Sequence, residues 1–322
     1  DFLLEKRLYK AITIQNAQTG KRNFVLSTIG DGVVIIDKEG KKVRGINKKT
    51  GLNTNVAIAL FQAKDKSLWL GLDNGVARVD INSPITLWDE DTGLVGKTVT
   101  SVFQHEGVIY ITNDDGVSYF DKELNKFKVI EGINSTGWKM FVFTTPSGED
   151  KLLAGISNGV YEIKYNVATP IALGGGSAEA FYTSNLYPDR VFIGGGNGLR
   201  TIRYKEGEDI WEKEGTMPGF HHSRIKTIVE KDSVFWAATD HQGVLKLIFE
   251  NITSHDRLIT KTNIADAQKK GLPSESKNNV FKLKNNSFLK DELLVTTEDG
   301  AYTYSLKEDK MIPSTIFGER YR

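Results

Sequence analysis

Apolar and polar positions along this chain alternate with a period of two, in short runs broken by glycine, and one pattern recurs seven times. Each copy is a short apolar run ending in a small residue, a polar turn closing on glycine, then an aliphatic residue and a second alternating run. The copies occupy residues 24–36, 68–79, 109–120, 152–163, 191–202, 235–247 and 293–304; two of them read LWLGLDNGVARV (68–79) and LLAGISNGVYEI (152–163). Such alternation, rich in β-branched and aromatic residues, predicts half-buried strands and excludes helical repeats of similar period. The closing glycines are Gly32, Gly75, Gly116, Gly159, Gly198, Gly243 and Gly300, separated by 43, 41, 43, 39, 45 and 57 residues. A period of about 40–45 residues holding several short strands is that of a four-stranded propeller blade. The expected fold is all-β: a seven-bladed β-propeller of four-stranded antiparallel blades, with residues 1–322 as a single domain.

The register agrees with this reading. Small residues stand four or five places before each glycine (Ser27, Gly71, Thr112, Gly155, Gly194, Ala238 and Thr296), where converging sheets need room. Asp-Gly and Asn-Gly pairs such as Asp31-Gly32, Asn74-Gly75 and Asp115-Gly116 are expected to supply the left-handed residues of two-residue hairpins. A further strand is expected before most of the hairpins, often announced by Gly-Leu or Gly-Ile: Gly51-Leu52 before 56–62, Gly93-Leu94 before 99–104, Gly132-Ile133 before 138–143 and Gly271-Leu272 before 279–283. In a propeller it is the innermost strand, entered from the face that also carries the hairpin turns. The 57-residue gap predicts a blade enlarged at 263–277, with a helical turn at 265–270. Residues 1–5 or 316–322 are the candidates to close the ring.

Composition narrows the function more than the fold. Lys plus Arg is 42 and Asp plus Glu is 41, a net charge of +1, which argues against a basic nucleic-acid or membrane-surface module. Gly 31 against Pro 7 fits many tight turns. With no cysteine, disulfides, thiolate metal sites and cysteine nucleophiles are excluded. No basic stretch followed by an apolar run opens the sequence, so no signal peptide is expected within it. Its longest apolar runs, such as 56–61, fall far short of the roughly 18 residues a membrane helix needs.

The unit from Gly51-Leu52 to Asp80, with LWLGLDNGVARV followed by Asp80, resembles the two-component-regulator propeller repeat. That repeat is found in the extracytoplasmic sensor regions of bacterial hybrid histidine kinases and triple-tyrosine-domain regulators. The resemblance extends over seven copies; those at Gly198 and Gly243 depart from it in lacking the Gly-Leu entry. It implies a periplasmic, non-catalytic ligand-sensing domain cut from a longer inner-membrane receptor, followed there by a triple-tyrosine domain, a membrane helix and a signalling output. The implied partners are a small-molecule or oligosaccharide ligand and the downstream parts of the same protein, with a homodimer compatible and no nucleic acid. No cofactor is implied.

Candidate chemistry is sparse. Gly93-Leu94-Val95-Gly96-Lys97-Thr98 lacks the first glycine of a phosphate-binding loop, where Asp91 stands, and leads into a strand. No Gly-x-Ser-x-Gly elbow occurs. Lys64 to Trp69 only grazes the Ser-x-Asp-x-Gly-x-x-Trp turn of sialidase-like propellers. His221, His222 and His241 share a predicted face, but adjacent histidines on an extended segment point apart, which favours hydrogen bonding to a ligand over metal ligation. Trp69, Tyr110, Phe192 and Trp236 share one repeat register and are expected in the core; Trp88 and Trp211 are expected to pack on outer strands. Residues that break the repeat at the channel mouth are already unexplained by packing, so they are the site candidates: Trp138, Phe220, His221, His222 and His241, acting by aromatic stacking and hydrogen bonding. No catalytic or metal-binding residue is expected. The alternatives are a secreted glycan-active hydrolase or lyase and a protein-interaction scaffold.

Overall fold

The computed structural model describes residues 7–15, 20–81, 88–90, 94–96, 98–124, 126–217, 224–240, 243–250, 261–266, 272, 279–283, 292–297 and 299–318. Among these, the chain forms strands and one short 3-10 turn, Lys48–Thr50. It divides into two compact units, Asp1–Asp91 and Thr92–Arg322.

The first unit holds two antiparallel sheets. One joins β1 (Leu8–Gln15), β2 (Arg22–Thr28), β3 (Val33–Ile36) and β4 (Lys42–Ile46); the other joins β5 (Ala57–Gln62), β6 (Leu68–Leu72) and β7 (Gly75–Val79). The second unit holds five four-stranded antiparallel meanders. They are β8 (Val99–His105), β9 (Val108–Asn113), β10 (Gly116–Asp121), β11 (Lys126–Val129); β12 (Gly137–Thr144), β13 (Asp150–Ile156), β14 (Gly159–Lys164), β15 (Val167–Leu173); and β16 (Ala180–Ser184), β17 (Tyr187–Gly195), β18 (Gly198–Lys205), β19 (Ile210–Thr216). Then follow β20 (Ile225–Lys231), β21 (Val234–Thr239), β22 (Val244–Glu250), β23 (Lys261–Asp266); and β24 (Asn279–Leu283), β25 (Glu292–Thr297), β26 (Gly300–Ser305), β27 (Lys310–Pro313). Every predicted hairpin is present. Among the described residues, the first and last sheets are each built from consecutive strands of their own segment. Residues 1–5, proposed for closure, lie outside the described set, and 316–318 add no strand. The helical turn expected at 265–270 is corrected in part: Ala265 and Asp266 end β23, paired with Lys246 and Leu245 in the fourth-strand place, and 267–270 lie outside the described residues.

Within each unit the core lies in the seams between successive sheets, because the strands turn apolar rows to the neighbouring sheet. Phe143, Leu153 and Val160 of the fourth sheet meet Phe181, Val191 and Ile193 of the fifth. Phe192 and Leu199 on the other side of the fifth sheet meet Ile225, Phe235 and Leu247 of the sixth. The first unit repeats the scheme, with Val25, Val33 and Ile35 against Leu60, Leu68 and Leu70. In the second unit the first strands neighbour one another, β8 with β12, β16 with β20 and β20 with β24. The small residues do as expected: a Cβ at Gly194 would stand 2.6 Å from Ile225 Cγ2 of the next sheet. Of the aliphatic residues of the entry motif, Leu52, Ile133 and Leu272 are buried and Leu94 is partly so.

Two expectations are corrected. Tyr110, Phe192 and Trp236 are buried, but Trp69 is 40% exposed, beside Phe61 on an open face of its sheet, with its indole N–H donated to Ser67 Oγ at 3.2 Å. The same Ser67 donates its N–H and hydroxyl to Asp65, which holds that carboxyl down at about 2. The repeat hairpins also differ from the Asp-Gly type expected. Leu72 pairs with Gly75, Asn113 with Gly116 and Ile156 with Gly159, so the two loop residues precede the glycine and the glycine opens the next strand. The loop residues keep negative φ, while the glycines stand at φ 109°, 131° and 148°. This is the glycine that follows a type I turn, not the second residue of a type I′ turn. Left-handed pairs do occur, at the other end of the sheets: Glu106-Gly107, Tyr165-Asn166 and Asp232-Ser233. Gly75 has no neighbour within 4 Å of a built Cβ. Gly75→Ala should therefore cost about 1 kcal/mol through backbone strain alone, read as a drop in the urea midpoint.

Candidate functional site

In the fourth, fifth and sixth sheets the residue at the entry to the first strand is tied to the hairpin between the second and third strands. Ser157 N donates to Thr136 O (2.9 Å), Glu179 N to Gly194 O (2.8 Å) and Asp240 N to Arg224 O (3.1 Å). Chain entry and hairpin thus share one end of these sheets, as expected from the repeat, and six polar or aromatic side chains meet there.

Trp138, the second residue of β12, is half-buried and donates its indole N–H to Ser157 Oγ at 3.0 Å. Arg224, one residue before β20, lays its guanidinium over the Trp138 ring, with Cζ 5.4 Å from the centroid, a cation–π contact. Its Nε donates to both oxygens of Glu179, at 3.0 and 2.8 Å. Asp240 Oδ2 lies 3.7 Å from the same Nε, and Asp240 also pairs with Lys226. The hydrogen bond to Glu179 raises the Arg224 pKa further above its ordinary value.

Behind this row lies a second arginine. Gly174, Gly175, Gly176 and Ser177 connect β15 to β16 and curl over Arg200 of β18, whose guanidinium is buried. Its Nη2 donates to Gly176 O (2.8 Å) and Ser177 O (2.9 Å), and its Nη1 donates to Gly175 O. Burial pushes its pKa down to about 10, opposed by the charge of Glu179, so it remains a cation at neutral pH. Ser177 Oγ accepts from Gly196 N (2.8 Å) and donates to Glu179 Oε1 (2.7 Å). The chain of contacts Arg200, Ser177, Glu179, Arg224, Trp138 therefore fixes the side chain of Arg224 from behind.

Of the residues named from sequence, Trp138 sits in this cluster; Phe220, His221, His222 and His241 lie outside the described residues. Two of those positions adjoin it in sequence, His241 after Asp240 and His222 two places before Arg224. Glu179, Arg224, Asp240 and Arg200 were not foreseen. The signal that finds Glu179 and Arg224 is their place at the first-strand entry, where the fifth and sixth copies lack the Gly-Leu that marks it elsewhere; Asp240 follows β21 and Arg200 lies on β18. Among the described residues, no group of three or more His, Asp or Glu is placed to hold a metal ion. Among the described residues, no helix is long and apolar enough to cross a membrane.

No family model and no curated protein matches the chain. Similar solved structures include the computationally designed Ika8 protein (12% identity, 98% of this chain and 89% of that one, TM-score 0.45). An auxiliary nutrient binding protein from Bacteroides thetaiotaomicron is similar at 12% identity over 95% of this chain and 85% of that one, TM-score 0.42. The extracellular domain of the hybrid two-component system BT3049 from B. thetaiotaomicron is similar at 16% identity, TM-score 0.41, over 95% of this chain; the chain spans about half its length, 46%.

Proposed function

We propose that residues 1–322 are the ligand-binding propeller of a bacterial extracytoplasmic sensor, a non-catalytic module of a longer two-component receptor. In this reading the seven sheets are seven blades of one closed ring, and the ligand is a saccharide held at the end of the sheets where first strands are entered. The observation that carries it is the row Trp138, Arg224, Glu179: an aromatic ring and planar polar groups set at equivalent entries of three successive sheets. Mixed aromatic and planar hydrogen-bonding side chains are what a sugar's alternating apolar and hydroxyl surfaces need. Glu179 and Asp240 are each engaged by a cation, Arg224 and Lys226, which favours binding over acid–base chemistry at this place. Signalling then requires that the ligand bind one arrangement of the receptor more tightly than another, since equal affinity shifts no equilibrium. The periplasm, the downstream triple-tyrosine domain and the membrane helix follow from the sequence resemblance; a part for Phe220, His221, His222 and His241 follows from their place where the repeat breaks at the expected channel mouth.

Titration calorimetry with a panel of neutral and acidic oligosaccharides tests the proposal. At least one member should bind, remain uncleaved on chromatography after incubation, and bind tenfold or more weakly to Trp138→Ala. Binding by no member, cleavage of the bound one, or unchanged affinity of the variant would overturn it.

A further inference from the structure

We infer that the ligand carries a carboxylate and that Arg224 is the group that reads it; this rests on the saccharide-binding reading above. The guanidinium of Arg224 has two edges in different circumstances. Its Nε edge is spent on Glu179. Its terminal amino groups, Nη1 and Nη2, make no hydrogen bond among the described residues, and the side chain is 41% exposed. Four N–H donors in one plane are therefore uncommitted among the described residues, with the guanidinium held by Glu179 at its Nε edge and by the Trp138 ring at its face. A guanidinium held in this way matches a carboxylate with two parallel hydrogen bonds, a geometry that an ammonium group cannot present.

The charges around it support an anion. Arg200, Arg224 and Lys226 are three cations against the two carboxylates Glu179 and Asp240, and Arg200 is satisfied by carbonyl oxygens alone. Asp240 is drawn toward Lys226, and Glu179 is drawn to Ser177 and Arg224. A bound carboxylate would balance the set. The same geometry changes the part expected of Trp138. One face of its ring is covered by Arg224 and its N–H is committed to Ser157, so the indole serves as the platform for the arginine on that side.

The probes are trigalacturonic acid, its methyl ester, and the neutral galactose trimer, titrated into wild type, Arg224→Lys and Arg224→Ala. The acid should bind at least tenfold more tightly than the ester or the neutral trimer. Arg224→Lys, which keeps the charge and loses the fork, should remove most of that preference while its melting temperature stays near wild type, so the result stands even if Arg224→Ala does not fold. Equal binding of acid, ester and neutral trimer, or a preference unchanged in Arg224→Lys, overturns this inference and leaves the saccharide reading standing. Failure of all three to bind, with another panel member binding, overturns it as well; failure of the whole panel removes both.

Discussion

Gly195→Ala is expected to destabilise the protein by about 3 kcal/mol, read as a lower urea midpoint at an unchanged m-value. Gly195 ends β17 and pairs with Gly198. A Cβ there would overlap the carbonyl oxygen of Ser177 and stand 2.6 Å from its carbonyl carbon. Both are backbone atoms, so no side chain can swing aside to make room. That carbonyl also accepts from Arg200 at 2.9 Å. Moving it away adds the loss of a hydrogen bond to a buried charge, roughly 1.5–3 kcal/mol by itself, to the overpacking cost. The contrast with Gly75, where a methyl group meets nothing, separates steric cost from backbone strain. A midpoint shift at Gly195 no larger than that at Gly75 would show that the 174–177 loop yields freely.

The strands and their hairpin pairing were legible because their code is local. Alternation with a period of two and glycine at fixed offsets can be read over a dozen residues, and the predicted strand at 279–283 coincides with β24 (Asn279–Leu283). What a local code leaves open is what lies opposite. Trp69 shares the register of Trp236, yet one is exposed and the other buried, because register fixes the face of a strand and not its cover. The turn type escaped for a related reason. An Asp-Gly dipeptide fits either the two loop positions of a type I′ turn or the last loop residue and the glycine after a type I turn, and only the pairing register distinguishes them. The site was the least legible part. Glu179 and Arg224 are 45 residues apart in sequence, in loops whose lengths follow no repeat, and neither belongs to any motif. Trp138 was found because it broke the pattern; Arg224 fell where the pattern itself had lapsed.

Phe143→Ala should cost about 4 kcal/mol, whereas Asp209→Asn, in the same seam, should cost about 1 kcal/mol or less. The seam between the fourth and fifth sheets has an apolar interior and an ionic rim. Phe143 is fully buried, edge-on to Tyr204 at 5.9 Å and to Trp211 at 5.1 Å, and its removal leaves a cavity that rigid neighbours cannot fill. At the rim Lys151, with its side chain 3% exposed, donates to Asp209 (2.8 Å) and lies 3.2 Å from Glu149, while Tyr204 donates its hydroxyl to Asp209 (2.6 Å). Asp209 itself is 68% exposed, so water competes for it and little net stabilisation remains. The two variants should also differ in their response to pH. The hydrogen bond from Lys151, followed by that from Tyr204, lowers the Asp209 pKa. A carboxyl lowered on folding contributes above its unfolded pKa, about 4, and that contribution is lost as pH falls through the lower folded value. The gap between wild type and Asp209→Asn should therefore close below about pH 4, while the gap to Phe143→Ala stays constant. An Asp209→Asn cost at pH 7 equal to that of Phe143→Ala would show that the ionic rim, not the aromatic interior, holds the two sheets together.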